Sequence, residues 1–190
     1  MKLFTTLLLL CSIISASVSA QGVFSNNTNA ALQRVIQDYP NNYRNIKGEL
    51  LTENPQTVDY RSKVEIPGSA GCILTHYSSS KKEVYSWKAD LFEEEDFEKT
   101  KLRFKELYNQ IRNTIVKIEG EKPFILNGAY QSPTEEKKFT TILFQLLPSG
   151  GEMDKLKVEL SMNYVITGWK ITLTVYDHEH KEEEFSATGR

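Results

Sequence analysis

The chain has 190 residues, and its 23 Lys and Arg nearly balance its 25 Asp and Glu, leaving a formal charge of −2. No basic surplus exists to hold a phosphate backbone, so a nucleic-acid partner is not expected. The chain has two cysteines, Cys11 and Cys72, which is too few for a disulfide framework.

Met1-Lys2 opens the chain with a positive charge, Leu3 to Val18 is apolar with scattered Ser and Thr, and Val18-Ser19-Ala20 supplies small residues. This predicts a signal peptide over 1–20, cleaved between Ala20 and Gln21. Its apolar core is too short and too diluted for a spanning helix, and no later segment is long and apolar enough to span a bilayer. The expected setting is therefore exported, periplasmic or secreted. Removing 1–20 takes away Lys2, moves the charge from −2 to −3, and leaves Cys72 as the sole cysteine. No intramolecular disulfide is then possible, and the fold has to rest on its apolar core.

Residues 21–27 are polar and are expected to be loose. A helix is predicted over about 29–38, with Leu32, Val35 and Ile36 on one face and Tyr39-Pro40-Asn41-Asn42 as its stop. Strands are predicted over about 43–51, 58–66, 72–78 and 83–92. The second alternates Val58, Tyr60, Val64 and Ile66 with Asp59, Arg61, Lys63 and Glu65. Glu93-Glu94-Glu95-Asp96 suits the start of a helix, where acidic groups complement the macrodipole. That helix is predicted to run to about residue 116, with Phe97, Phe104, Tyr108, Ile111 and Ile115 as its apolar stripe. Four more strands follow at about 123–131, 138–147, 155–164 and 168–177, the last two with the cleanest alternation. Residues 178–190 read as a charged tail.

The punctuation recurs. Gly48 and Gly128 are 80 residues apart, Pro67 and Pro148 are 81 apart, and Trp87 and Trp169, the only tryptophans, are 82 apart. Matched landmarks at a long period suggest two copies of one unit. The expectation is α+β: two α-β4 repeats, about 28–92 and 93–177, forming a single domain over 21–177, with helices on one face of antiparallel sheet and eight strands in all.

The search for chemistry gives little. His178 and His180 in Asp177-His178-Glu179-His180 are weak metal candidates that need a third ligand from elsewhere, such as His76. Ser69 lacks the spacing of a nucleophile elbow. Cys72 and His76 share a strand side but stand about 13 Å apart, too far for proton transfer. Trp87 and Trp169 are read as core anchors rather than a ligand clamp. No phosphate loop, dinucleotide fingerprint or CxxC is present, so no cofactor and no catalytic residue is expected.

Two stretches, Tyr77 to Trp87 and Ser132 to Phe139, resemble stretches of small exported proteins of Bacteroidetes-type bacteria. The resemblance implies a periplasmic setting and carries no activity. The helix-plus-four-strands plan is also similar to that of the β-lactamase inhibitor protein and, per unit, of cystatins, a likeness of plan that implies no function.

These readings converge on an exported, soluble, non-catalytic binding or structural protein. Its expected working surface is the polar sheet face, centred on Lys88, Lys170, Lys63 and Lys157 and offered to a protein or envelope partner. One alternative is a small-ligand carrier with a pocket between helices and sheet. Another is a metal- or thiol-dependent enzyme using His178 and His180 or Cys72.

Overall fold

The computed structural model describes residues 20–78, 83–166 and 168–177, with side chains from Asn27 onward. The expected signal peptide falls almost wholly, and the charged tail with His178 and His180 wholly, outside the described residues. Helix α1 (Ala20–Asp38) starts well before the residue expected from the apolar pattern. Its buried face is Ala31, Leu32, Val35 and Ile36, the spacing that places side chains on one stripe of a helix. A 3-10 turn, Tyr39–Asn41, follows it. Pro40 cannot donate the backbone bond that would continue the helix.

Nine strands follow: β1 (Lys47–Glu53), β2 (Thr57–Ser62), β3 (Gly71–Tyr77), β4 (Val84–Glu94), β5 (Ile115–Val116), β6 (Phe124–Asn127), β7 (Phe139–Leu147), β8 (Leu156–Val165) and β9 (Gly168–Asp177). Helix α2 (Phe97–Ile111) lies between β4 and β5. All strands join one antiparallel sheet in the order β1-β2-β3-β4-β9-β8-β7-β6-β5.

This corrects the expected pair of α-β4 repeats with eight strands. Among the described residues, one nine-stranded sheet with two helices forms instead, and most of the ordered backbone is strand. Two local causes are visible. Ile115 extends the apolar period of α2 by four residues, yet the helix ends at Ile111 and the β-branched pair Ile115–Val116 turns into β5. A bulge at Leu91 then shifts the β4–β9 register, so Trp87 faces Val175 while Trp169 faces Glu94. A bulge adds one residue to one strand and so breaks any equivalence across the pair. The acidic run is also divided differently from expectation. Glu93 and Glu94 lie in β4, and only Asp96 caps the helix, its Oδ1 accepting the Lys99 N–H at 3.0 Å.

Period-2 alternation separates the two sheet faces. Leu74, Trp87, Val175, Val158 and Phe144 form one row across β3-β4-β9-β8-β7, and Cys72, Ala89, Leu173, Leu160 and Ile142 form the next. Every member of both rows is buried, in one continuous core with Leu32, Val35 and Ile36 of α1 and Phe104, Leu107 and Ile111 of α2. Each tryptophan is buried in this core; Trp87 Nε1 donates to Ser62 Oγ at 2.9 Å. Gly48 and Gly128 mark close approaches of backbone. A Cβ at Gly48 would lie 2.5 Å from the Arg61 carbonyl oxygen, and one at Gly128 would lie 2.8 Å from the Phe144 ring.

Candidate functional site

The opposite sheet face carries the rows Ile73, Lys88, Thr174, Glu159, Leu143 and Asp90, Thr172, Ser161, Thr141. The structure brings two of the four expected lysines together there. Lys170 Nζ donates to Asp90 Oδ2 at 2.9 Å, and Lys88 Nζ stands 3.9 Å from Asp90 Oδ1. Lys157 instead donates to the Asp154 carbonyl oxygen at 2.8 Å. Lys63 is exposed just beyond the end of β2, which stops at Ser62 rather than running to residue 66. Lys88 and Lys170 thus share Asp90, while Lys157 and Lys63 lie away from that pair. Much of this face is also drier than expected. Ser86, Ser161 and Tyr176 are buried, and Tyr77 with Ser86, Ser161 with Thr172, and Tyr176 with Glu159 are hydrogen-bonded among themselves.

Cys72 is buried, with Sγ 3.5 Å from Ser69 Oγ. Burial pushes its thiol above 9.0, against the opposing pull of the Ser69 hydrogen bond. A thiol nucleophile needs the reverse environment. His76 stacks on Tyr85 with ring centroids 4.6 Å apart. Among the described residues, no group of three His, Cys, Asp or Glu side chains is placed to hold a metal ion, and no helix is long and apolar enough to cross a membrane.

A different site emerges on the core side of the sheet, at the end where β4 begins and β9 finishes. The segment after α1 folds into a knot around Asp38. Asp38 Oδ2 accepts the backbone N–H groups of Asn45 at 2.9 Å and Ile46 at 3.1 Å, and Oδ1 accepts the side-chain amides of Asn45 at 2.6 Å and Asn41 at 3.2 Å. The Asp38 carbonyl accepts Tyr43 N–H at 3.0 Å. This knot holds Asn42 and Tyr43 in the left-handed region, at φ 54° and 55°. Such a conformation costs a non-glycine residue about 1–2 kcal/mol, and strain of this kind concentrates where a fold positions functional groups.

The knot places three tyrosine rings in sequence. Tyr39 and Tyr43 meet with centroids 6.1 Å apart, and Tyr43 and Tyr85 with centroids 6.4 Å apart, both edge to face. They border a cavity of ≈ 430 Å³ that Glu83, Glu152, Lys155 and Asp177 also line. Tyr39 Oη donates to Asp177 Oδ2 at 2.7 Å, which joins the knot to the end of β9. Tyr43 is 1 % exposed, and its hydroxyl has no hydrogen-bond partner among the described residues. Burial, followed by the neighbouring Tyr39, Asp177 and Asp38, pushes that hydroxyl well above the usual phenol range. It is a neutral donor and acceptor at physiological pH. Burial also raises Tyr85, with Lys47 pulling in the opposite direction.

Compared with protein-family models, with curated proteins and with solved structures, the chain matches none. The functional reading rests on the site alone. Sequence reasoning passed over this site because Tyr39-Pro40-Asn41-Asn42 reads as a helix stop. The legible signal was the density of Asp and Asn around two tyrosines in 38–45, since these side chains bond nearby backbone and tolerate left-handed turns.

Proposed function

We propose that this chain is a non-catalytic binding protein that holds a small ligand in the cavity bordered by Tyr39, Tyr43 and Tyr85. The observation that carries the reading is the Tyr43 hydroxyl. A buried hydroxyl without a partner costs about 1–3 kcal/mol, and native folds retain few of them. Tyr43 is one of the residues that border a cavity of ≈ 430 Å³, within the size range of small-molecule sites. A ligand atom bonded to it would remove that cost. The Asp38 knot supports the reading, because it fixes the loop before any ligand arrives and so lowers the entropy lost on binding.

The reading modifies the small-ligand carrier expected from sequence. The cavity sits at the sheet end beneath the loop after α1, and carboxylates share its lining with aromatic rings. The charged face around Asp90 is the weaker candidate, because Asp90 lies between Lys88 and Lys170 and offsets both. The proposed setting is outside the cytoplasm, on the strength of the apolar Leu3 to Val18 and the small residues at Val18-Ser19-Ala20.

A fragment screen read by amide chemical shifts tests the proposal. Binders should perturb residues 39–46, 83–85, 152–155 and 177, and Tyr43→Phe should weaken them about tenfold, the worth of one hydrogen bond of about 1.4 kcal/mol. Binders that perturb only other surfaces, or that ignore Tyr43→Phe, would refute it.

A further inference from the structure

We propose that this chain pairs with a second copy of itself along the outer edge of β1, so that the sheet continues across a two-fold axis. The proposal does not rest on the cavity. Among the described residues, β1 ends the sheet beyond β2, and no strand lies on its outer side. An edge strand presents a row of backbone N–H and C=O groups with which a further strand can pair. The opposite edge, β5, is two residues long, whereas β1 has seven residues. Glu49 to Glu53 are all exposed, Leu50 by 55 % and Leu51 by 42 %.

The register of β1 selects the partner. Against β2, β1 has one extra residue between Lys47 and Leu50 and another between Leu50 and Thr52. Bulges of this kind set two residues of one strand against one of the other. They bring Lys47, Leu50 and Glu53 opposite Ser62, Tyr60 and Val58, which alternate along β2 and so share one face. One face of the edge thus reads cation, leucine, anion. Turned end for end, that row is its own complement. Antiparallel about Leu50, Lys47 meets the partner's Glu53, Glu53 meets the partner's Lys47, and the two Leu50 side chains meet on the axis. Opposite charges and apolar pairs across strands are stabilising, and like charges directly opposite are destabilising. Sliding the copy by three residues keeps the same face but sets Leu50 against a charge.

The charges of this row are also available. Among the described residues, neither Lys47 nor Glu53 belongs to an ion pair. Lys47 Nζ rests over the Tyr60 ring, 3.8 Å from its centroid. Glu49, the remaining charge of β1, is matched within the chain by Arg61 Nε at 2.6 Å. A surface that complements itself under rotation is what a two-fold contact requires, which favours a second copy over a foreign strand. Seven residues from each copy are far fewer than a standard interface uses. The association is therefore weak, with a dissociation constant on the order of 100 µM.

Sedimentation equilibrium of the protein from about 5 µM to about 1 mM should show the average mass rising from one chain toward two. Leu50→Lys, at an exposed position, sets like charges together on the axis and should keep the chain monomeric throughout. Glu53→Lys and Lys47→Glu should each weaken association about tenfold when alone. An equimolar mixture of those two variants should recover it, because every mixed contact again sets a lysine against a glutamate. Recovery on mixing also shows that both variants are folded. A protein that stays monomeric over the whole range overturns the proposal. So does a dimer that Leu50→Lys and the charge reversals leave intact, which would place the contact on another surface, and so does a mixture that fails to associate.

Discussion

Asp38 decides the geometry of the site. Its carboxylate is buried and accepts four hydrogen bonds from the segment 41–46. Asp38→Ala leaves the Asn45 and Ile46 N–H groups without that acceptor and releases the two left-handed residues. Bonds to a charged acceptor are worth about 1.5–3 kcal/mol each, and the losses overlap, so a destabilisation of about 3 kcal/mol is expected in urea unfolding. A change below about 0.5 kcal/mol, the level of ordinary surface substitutions, would show that the knot does not hold the loop.

Two buried acids set a pH dependence at the same scale. Tyr43 and Cys72 hold their protons more tightly in the folded state than at their ordinary values of 10.0 and 9.0. A raised folded pKa gives stability that is complete below the unfolded value and declines as pH rises through it toward the folded one. The urea midpoint should therefore be insensitive to these groups at neutral pH and fall above about pH 9. Cys72→Ala should flatten the first part of that fall, and Tyr43→Phe the part beyond pH 10. A profile that both substitutions leave unaltered would remove the two groups as its cause.

At the scale of elements, α2 shows how far a periodic pattern carries. Phe104, Tyr108 and Ile111 were legible as its inward stripe and are buried; Leu107 joins them. Phe104→Ala should cost about 3–5 kcal/mol, whereas Leu102→Ala, at a position 64 % exposed, should cost less than about 0.5 kcal/mol. Asp96→Ala should cost about 1 kcal/mol through the lost cap. Equal losses at 102 and 104 would contradict the assigned helix face. The helix end was not legible. Ile115 falls on the helical period, and the pattern alone could not distinguish another turn from the start of β5. The decision lies in tertiary bonds: Leu126 N–H reaches the Thr114 carbonyl, and Thr114 Oγ1 donates to Asn29 Oδ1 at 3.1 Å.

For the whole molecule, the sheet was the readable part. Leu156, Val158, Leu160 and Met162 alternate in sequence and lie in the core, as do Trp169, Ile171, Leu173 and Val175. Strict alternation allows one buried face, so strand and face follow together. The joining of all nine strands into one sheet was not readable, because the β4–β9 contact pairs segments about 80 residues apart and runs through a bulge. The proposed site was least readable of all. Its parts come from the loop after α1, the start of β4, the turn before β8 and the end of β9. No local window holds them together.

The account turns on whether the Tyr43 hydroxyl serves the fold or a ligand, and urea unfolding of Tyr43→Phe without added ligand distinguishes these directly. Phenylalanine keeps the ring contacts with Tyr39 and Tyr85 and removes only the buried oxygen, which has no partner among the described residues. The midpoint should rise with an unchanged slope, corresponding to a gain of up to about 1–2 kcal/mol from the relieved desolvation cost. A midpoint that falls by an equivalent amount would show that the hydroxyl is a structural group, and the binding site would lose its main support.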